Sequence, residues 1–256
     1  MRRFYIRPEQ LKHIPPFIDG ADAHHLRVVL RLQPGAMIEV LDGQGQEYQA
    51  RIISMERDRV CLALENTVAN ATESSVEIIM AQGYLKDKKM EDLIRPLTEL
   101  GVSRWIPFLA ARSVPAPDPK RLSARQERWR KLSLEAVKQC GRPRAMLIDP
   151  VVSFEDVLKE AQPSDLRLIF WEQCASSRRG TLARPGNPSK LFILIGPEGG
   201  FEAHEVTRAQ QEGFLTVGMG PRILRAQTAA LTAAVIGQFV FGDLGQNFLD
   251  KKQVVL

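Results

Sequence analysis

Residues 191–201 of this chain read Leu191-Phe192-Ile193-Leu194-Ile195-Gly196-Pro197-Glu198-Gly199-Gly200-Phe201. The five apolar residues predict a buried strand, and the glycines predict a turn from which a helix begins near Glu202. In an open α/β sheet, ligands bind beyond the carboxyl ends of the strands, where glycines let backbone N–H groups approach a ligand. The motif is neither Gly-x-Gly-x-x-Gly nor a phosphate-binding loop with Gly-Lys-Ser/Thr, so it does not indicate phosphate binding. A plain strand–helix turn has the same composition, and this alternative stays open.

A second turn of the same kind has the sequence Val217-Gly218-Met219-Gly220-Pro221-Arg222-Ile223-Leu224-Arg225-Ala226-Gln227-Thr228-Ala229-Ala230. It predicts another strand end, a glycine-rich turn and the start of a helix, with Arg222 and Arg225 flanking an apolar pair. Two such turns at neighbouring strand ends would form one cleft made largely of backbone. Such a cleft suits an adenine and a ribose held by main-chain hydrogen bonds.

From residue 76 onward, short apolar runs alternate with amphipathic segments. This alternation predicts an α/β domain whose parallel sheet is covered by helices on both faces. We expect Pro96 to kink the first of these helices, because proline cannot donate a hydrogen bond inside a helix. The predicted strands are 76–80, 105–109, 146–148, 166–170 and 191–195, and the predicted helices are 86–100, 123–140, 154–161, 203–212 and 226–241.

Two segments, 114–120 and 175–190, show no periodicity. The second is basic, and it is either a plain connector or a mobile loop over a site.

The first 70 residues have a different pattern, in which turn signals separate short strands. One short helix is predicted in 22–32, with Asp22 as a possible cap. A single short helix among several strands predicts a small β-barrel. We therefore predict two domains, 1–70 and 74–245. The strands predicted in the first of them are 3–6, 37–41, 47–55 and 60–65.

The chain is mildly basic, with a formal net charge of +5 over 256 residues and an isoelectric point near 9.2. Clustered basic residues favour a polyanionic partner such as RNA, although solvated protein faces carry the same residues. The clusters lie at 2–7, 27–31, 86–89, 120–131 and 142–144.

Several classes of protein do not fit this sequence. No apolar run reaches the roughly 18 residues of a membrane-spanning helix, and the first residues lack the apolar core of a signal peptide. We therefore expect a cytoplasmic protein without a membrane partner. The three cysteines and four histidines have no zinc-ligand spacing, so we expect no metal.

The two glycine-rich turns are similar to those of the knotted SPOUT methyltransferases. More narrowly, the chain resembles the RsmE family, which methylates N3 of a uridine in 16S ribosomal RNA, and the resemblance covers nearly its whole length. It rests on these blocks in order: Arg3-Phe4-Tyr5, His25-Leu26-Arg27-Val28-Val29-Leu30-Arg31, Lys89-Met90-Glu91, Thr98-Glu99-Leu100-Gly101-Val102, Arg112-Ser113, Glu135-Ala136-Val137-Lys138-Gln139-Cys140-Gly141-Arg142, Gly196-Pro197-Glu198-Gly199-Gly200-Phe201 and Gly220-Pro221-Arg222-Ile223-Leu224-Arg225.

The resemblance implies a PUA-like RNA-binding barrel for 1–70 and a SPOUT methyltransferase domain with a C-terminal trefoil knot for 74–245. It implies S-adenosylmethionine as the cofactor, 16S rRNA or the small ribosomal subunit as the partner, and a homodimer. The cofactor-binding residues that it implies are Ile195, Gly196, Pro197, Gly199, Gly200, Met219, Gly220, Ile223, Leu224 and Ala229.

Catalytic roles follow from the chemistry of the implied reaction. Uracil N3 must lose its proton, so negative charge develops on the base. Our hypothesis is that Arg225 stabilises this charge, with Arg112 as the second choice. Glu198 is the candidate carboxylate for orienting cofactor or base, and a favourable anion at a helix N-terminus is an equal alternative. The candidate RNA contacts are Arg3, Arg7, Arg27, Arg31, Lys88 and Arg142, for which a solvated face is the alternative.

One departure from the family pattern bears on activity. The family usually continues its second motif as Leu-Arg-Thr-Glu-Thr-Ala, whereas this chain has Ala226 and Gln227 at the third and fourth of these positions. Gln227 keeps a hydrogen-bond acceptor but loses the charge. The alternative function is therefore a catalytically weakened RNA-binding or ribosome-assembly protein on the same fold.

Overall fold

A computed structural model describes residues 2–69, 72–86, 88–114, 118–174 and 188–246. The chain divides into two compact units. The first comprises Met1–Glu73 and Ser133–Ala145, and the second comprises Ser74–Leu132 and Met146–Leu256. In the described ranges, no helix has both the length and the apolar character needed to cross a bilayer.

The first unit is built on a curled five-stranded sheet. Its elements are β1 (Arg3–Tyr5), α1 (Pro8–Leu11), β2 (Phe17–Asp19), α2 (Gly20–His24), β3 (Met37–Leu41), β4 (Glu47–Met55) and β5 (Arg59–Thr67). The strand order is β1-β3-β4-β5-β2, and only β1 and β3 pair in parallel among these neighbours. Strands 37–41 and 47–55 were predicted with these bounds. The three-residue β2 was not predicted, because it is too short to show an alternating pattern.

The predicted helix 22–32 is not regular. After α2 the chain continues as a π-helical turn, His25–Val29, and Leu26 is fully buried beneath it. Asp22 is not the cap, because it lies inside α2, whose N-cap residue is Asp19. Its carboxylate pairs with Lys138 Nζ at 2.7 Å. Arg31, two residues after the turn, has a positive φ of 50°. A non-glycine residue in this region is strained and needs support from its surroundings.

The second unit contains a parallel sheet in the order β12-β10-β11-β6-β7-β8, with β9 pairing with β7. Its strands are β6 (Glu77–Gly83), β7 (Val102–Leu109), β8 (Leu147–Ile148), β9 (Val152–Ser153), β10 (Leu166–Phe170), β11 (Lys190–Ile195) and β12 (Leu215–Val217). The helices between and after them are α3 (Lys89–Asp92), α4 (Ile94–Glu99), α5 (Pro119–Cys140), α6 (Phe154–Ala161), α7 (Ala203–Gln211) and α8 (Ala226–Val240).

Alternate residues of the central strand β11 enter two different cores. Leu191, Ile193 and Ile195 pack with side chains of α4 and α8. Phe192 and Leu194 pack with side chains of α6 and α7 on the other face. The predicted parallel sheet with helices on both faces is therefore confirmed, and the continuous apolar run of β11 reflects burial on both sides.

The predicted helix 86–100 is broken into α3 and α4 at Leu93. The break lies three residues before Pro96, which has no N–H to donate to the carbonyl of Asp92. Pro96 is instead the third residue of α4, where a regular helix leaves the N–H without a partner. The predicted kink is thus a full interruption.

The two predicted irregular segments, 114–120 and 175–190, lie partly outside the described residues. Residues 115–117 of the first and 175–187 of the second are not described, and α5 begins at residue 119, four positions before the prediction. The trefoil knot stays a prediction, because the connection between β10 and β11 includes 175–187.

The ends of β6 and β11 come into backbone contact at Gly83. A Cβ added to this residue would lie 2.5 Å from the backbone nitrogen of Pro197. We predict that Gly83→Ala lowers the free energy of unfolding, measured by urea denaturation, by about 1–3 kcal/mol because the site is already filled. Gly218→Ala is the matched control, since its added Cβ would meet nothing closer than 3.6 Å. Equal stability of the two variants would contradict this close approach.

Candidate active site

Three loops meet at the carboxyl edge of the parallel sheet, around a cavity of about 560 Å³. They follow β10, β11 and β12, which are neighbours or next neighbours in the sheet. The two glycine-rich turns therefore share one cavity, as the sequence predicts. The lining includes every predicted cofactor-binding residue: Ile195, Gly196, Pro197, Gly199, Gly200, Met219, Gly220, Ile223, Leu224 and Ala229.

The first turn is held against the end of β6 by a buried amide. Gln82 Nε2 donates hydrogen bonds to the carbonyl oxygens of Gly83 and Gly196, both at 3.0 Å. The Gly200 N–H closes the turn on the Pro197 carbonyl at 3.0 Å, and Gly200 has a positive φ of 69°. Only glycine adopts this conformation without strain, so the turn geometry requires it.

Glu205 fixes the helix that follows the turn. Its side chain is 2% exposed, and its two oxygens accept the N–H groups of Ala111 and Glu202, each at 2.9 Å. The bond to Glu202 satisfies a donor at the N-terminus of α7. These two hydrogen bonds supply the donors that a buried carboxyl group needs, and they join the loop after β7 to the glycine-rich turn.

Glu198 lines the cavity, but its carboxylate already has partners. Its Oε1 accepts hydrogen bonds from the backbone N–H of Lys86 and from Lys89 Nζ, both at 3.1 Å. Partial burial raises the pKa of Glu198, and the hydrogen bonds from Lys86 and Lys89 outweigh it, so the net shift is downward. The carboxylate is therefore ionised and fixed in position at neutral pH.

Arg112 does not line the cavity but supports its wall. Its Nη1 donates to the Gly199 carbonyl at 3.1 Å, and its Nε lies 3.7 Å from Glu202 Oε1. A Cβ on Gly199 would lie 2.9 Å from the Cβ of Arg112. These contacts place Arg112 behind the glycine-rich turn.

Arg225 lines the cavity from the start of α8, where it is the N-cap residue. Its carbonyl accepts the first intrahelical hydrogen bond, from Ala229 at 2.8 Å. Its exposed guanidinium makes no hydrogen bond or ion pair with any residue that the structure describes. Ala226 and Gln227, the two departures from the family pattern, also line the cavity.

The candidate RNA contacts divide into two groups. Arg27 and Arg31, at the π-helical turn, and Lys88 are exposed. The other three are engaged in ion pairs. Arg3 contacts Glu39 and Glu47, Arg7 pairs with Asp19, and Arg142 forms two hydrogen bonds with Glu73.

Arg142 is only 4% exposed. A buried guanidinium with a paired carboxylate is not available to a phosphate, so the position of Arg142 does not fit the predicted contact.

Sequence reasoning missed three residues of the cavity wall at the end of β10: Phe170, the last residue of the strand, and Trp171 and Glu172, which follow it. No glycine marks this strand end. The available signal was Glu172, a charged residue two positions after a buried strand, at the edge where ligands bind. As far as the chain is described, no group of three His, Cys, Asp or Glu side chains could hold a metal ion.

Comparison with known proteins identifies the family. Residues 72–238 match the model of an RNA methyltransferase domain, which is more than half of the chain. The chain belongs to the RNA methyltransferase family. Residues 18–65 of this methyltransferase match the model of an RNA methyltransferase PUA domain, which confirms the PUA-like reading of the first unit.

Three relatives of this methyltransferase share one name. It is 35% identical over 244 residues to ribosomal RNA small subunit methyltransferase E of Bacillus subtilis, covering 91% of this chain and 94% of the relative. The protein of the same name from Synechocystis is 32% identical over 233 residues, covering 90% and 75%. A crystal structure of the Neisseria gonorrhoeae protein of that name, bound to S-adenosyl methionine, has a TM-score of 0.81 with 27% identity, covering 95% and 99%.

Proposed function

We propose that this protein methylates N3 of a specific uridine in 16S ribosomal RNA, with S-adenosylmethionine as the methyl donor. The observation that carries the proposal is the shared cavity of the two glycine-rich turns, with the guanidinium of Arg225 at its wall and without a partner among the described residues. A ribosomal RNA substrate places the activity in the cytoplasm.

The cavity fits the proposed donor in size and chemistry. Its volume of about 560 Å³ lies within the range of about 300–1,000 Å³ that is typical of small-molecule sites. Glycines line it where backbone groups must approach the ligand, and apolar side chains such as Ile195, Met219 and Leu224 supply the remaining walls. We propose that the residues from Ile195 to Gly200 and from Met219 to Ala229 hold the donor.

The residues of the chain then act mainly by position and charge. When bound, the donor supplies a methyl carbon that an in-line nucleophile can attack. Arg225 stabilises the negative charge that develops on the uracil carbonyl oxygens as N3 loses its proton. Its guanidinium cannot accept that proton at neutral pH. N3 lies on the Watson–Crick edge, so the uridine must be unpaired to enter the cavity.

In this scheme Arg112 and Glu198 have supporting roles. Arg112 holds the carbonyl of Gly199, and Glu198 is held by Lys86 and Lys89. We propose that both position the first glycine-rich turn rather than contact the reacting atoms.

We predict that cells lacking this protein lose one methyl group from a 16S rRNA uridine, detected by mass spectrometry of nuclease fragments. The wild-type gene should restore it and Arg225→Ala should not. Purified Arg225→Ala should have a turnover about 100- to 1,000-fold lower, because a charge that acts in the transition state is lost. Its dissociation constant for S-adenosylmethionine, measured by calorimetry, should be nearly unchanged.

Arg225→Lys is the control variant, because it keeps the charge and should recover part of the turnover. An unaltered methylation pattern in the deletion strain would favour the alternative, a ribosome-assembly protein without this activity. If Arg225→Ala kept the wild-type turnover, the proposed catalytic role of Arg225 would be wrong, but the proposed overall reaction would still stand.

We propose that the domain of residues 1–70 holds the RNA through the exposed Arg27 and Arg31. Arg27 lies in the π-helical turn and Arg31 lies two residues after it. Both side chains are exposed, and neither has an ion-pair partner among the described residues. Arg3 and Arg7 contribute less in this scheme, since carboxylates already neutralise them. Lys88 is a further proposed contact in the second unit.

We predict that Arg27→Gln and Arg31→Gln each make the plot of log binding constant against log salt concentration less steep. The magnitude of its negative slope should fall by about 1, because each variant removes one phosphate contact. Fluorescence anisotropy with a labelled 16S rRNA fragment measures this slope. Arg51→Gln is the control, since Arg51 pairs with Glu65 at 2.6 Å. An equal slope for all three variants and the wild type would argue against the proposed surface.

We also propose that the protein is a homodimer that uses α8. This helix carries apolar residues all round, and Val235 is 41% exposed while Leu231, Ile236 and Phe239 are partly buried. A partly exposed apolar helix face is typical of a protein–protein interface.

We predict that Val235→Asp raises the dimer dissociation constant at least about tenfold, because an unpaired charge would be buried. The mass measured by sedimentation equilibrium should then fall from that of the dimer, twice 28.7 kDa, towards that of the monomer, 28.7 kDa. Thr207→Asp, on the exposed face of α7, is the control and should leave the dimer intact. A wild-type protein that sediments as a monomer would refute the dimer.

A further inference from the structure

The cavity wall contains one carboxylate whose role the proposed reaction leaves open. Glu172 lies two residues after the end of β10 and lines the cavity with the two glycine-rich turns. Its Oε1 lies beside Gly200, where an added Cβ would be only 2.7 Å away. Gly200 therefore leaves the space that this carboxylate occupies.

The other carboxylates of this region already have partners. Glu198 accepts hydrogen bonds from Lys86 and Lys89, and Glu205 is buried with two backbone N–H donors. Glu202 lies near Arg112 and His204. Glu172, by contrast, has no hydrogen bond or ion pair with any described residue. Its oxygens retain their full capacity to accept hydrogen bonds from a ligand.

The charges around the cavity show which ligand group Glu172 suits. The charged side chains lining it are Lys89, Glu172, Glu198, Arg222 and Arg225, and Lys89 and Glu198 pair with each other. Two arginines and one carboxylate are left without partners among the described residues. S-Adenosylmethionine has two positive groups, a sulfonium and an ammonium, and one carboxylate. A cationic methyl donor calls for a negatively charged partner in the cavity. Of the two carboxylates that line it, Glu172 is the one without a partner among the described residues.

We propose that the Glu172 carboxylate binds the ammonium group of the methyl donor's amino-acid tail. An ammonium has three N–H donors that match the unfilled acceptors of Glu172, whereas a sulfonium has none. This assignment rests on the proposed function, because it requires S-adenosylmethionine in the cavity. Under this proposal Glu172 is a cofactor-binding residue. Gly200 then has a second role, because a side chain at that position would displace the Glu172 carboxylate.

The test compares three ligands by calorimetry on the wild type and on Glu172→Gln, which keeps the shape and removes the charge. S-Adenosylmethionine has both positive groups. S-Adenosylhomocysteine keeps the ammonium but has no sulfonium. 5′-Methylthioadenosine keeps the adenosine and has neither.

We expect Glu172→Gln to weaken S-adenosylmethionine and S-adenosylhomocysteine alike, by about 10- to 100-fold, because a charge-assisted hydrogen bond is lost. Its affinity for 5′-methylthioadenosine should match the wild type. Equal weakening of all three ligands would overturn the proposal in favour of ribose recognition. Weakening of S-adenosylmethionine alone would overturn it in favour of the sulfonium. Unchanged affinity for all three would also overturn it.

Glu155→Gln is the matched control, because it removes the same charge from the second unit outside this cavity and should leave all three affinities unchanged. The melting temperature of Glu172→Gln should equal that of the wild type, since no described partner of the carboxylate is lost. Failure of the proposed function has a different signature, in which the wild-type protein itself binds no S-adenosylmethionine.

Discussion

The close contact between the ends of β6 and β11 is the constraint on which the site depends. Gly83 lets the backbone at Pro197 approach to a distance that a side chain would prevent, and Gln82 ties the Gly196 carbonyl to the same point. The glycine-rich turn therefore leaves the sheet at a fixed position and direction. Because β10 and β12 run parallel to β11, their loops reach the same edge, and a cavity with backbone-rich walls results.

The fold was predictable where periodicity and turn chemistry agreed. Helix α6 has the predicted bounds, because an amphipathic pattern follows Ser153, whose side chain caps the helix by accepting the Asp156 N–H. The prediction failed where a local exception interrupts the pattern. Pro96 split one amphipathic segment into two short helices, and the π-helical turn His25–Val29 has a hydrogen-bond spacing that apolar periodicity does not reveal.

The parts of the site that contain glycine-rich turns could be predicted from the sequence. Both turns reach the cavity, and so do Arg225 and Glu198. Partners of charged residues could not be predicted, because they depend on distant parts of the chain. Arg142 is buried with Glu73, Arg112 lies behind Gly199, and Glu172 enters the cavity from a strand end that no glycine marks. The sequence shows which residues are ionisable, whereas tertiary packing determines which of their side chains remain without a partner.

The buried carboxylate of Glu205 has a mechanical consequence. The side chain accepts one hydrogen bond from the Ala111 N–H and one from the Glu202 N–H, so two loops whose donors are 91 positions apart in the sequence share a single anchor. Displacing either loop would leave an oxygen of the buried Glu205 side chain without its donor, which is costly. The loop bearing Arg112 and the first glycine-rich turn are therefore mechanically linked, because a shift of one strains a hydrogen bond on the side chain that also holds the other.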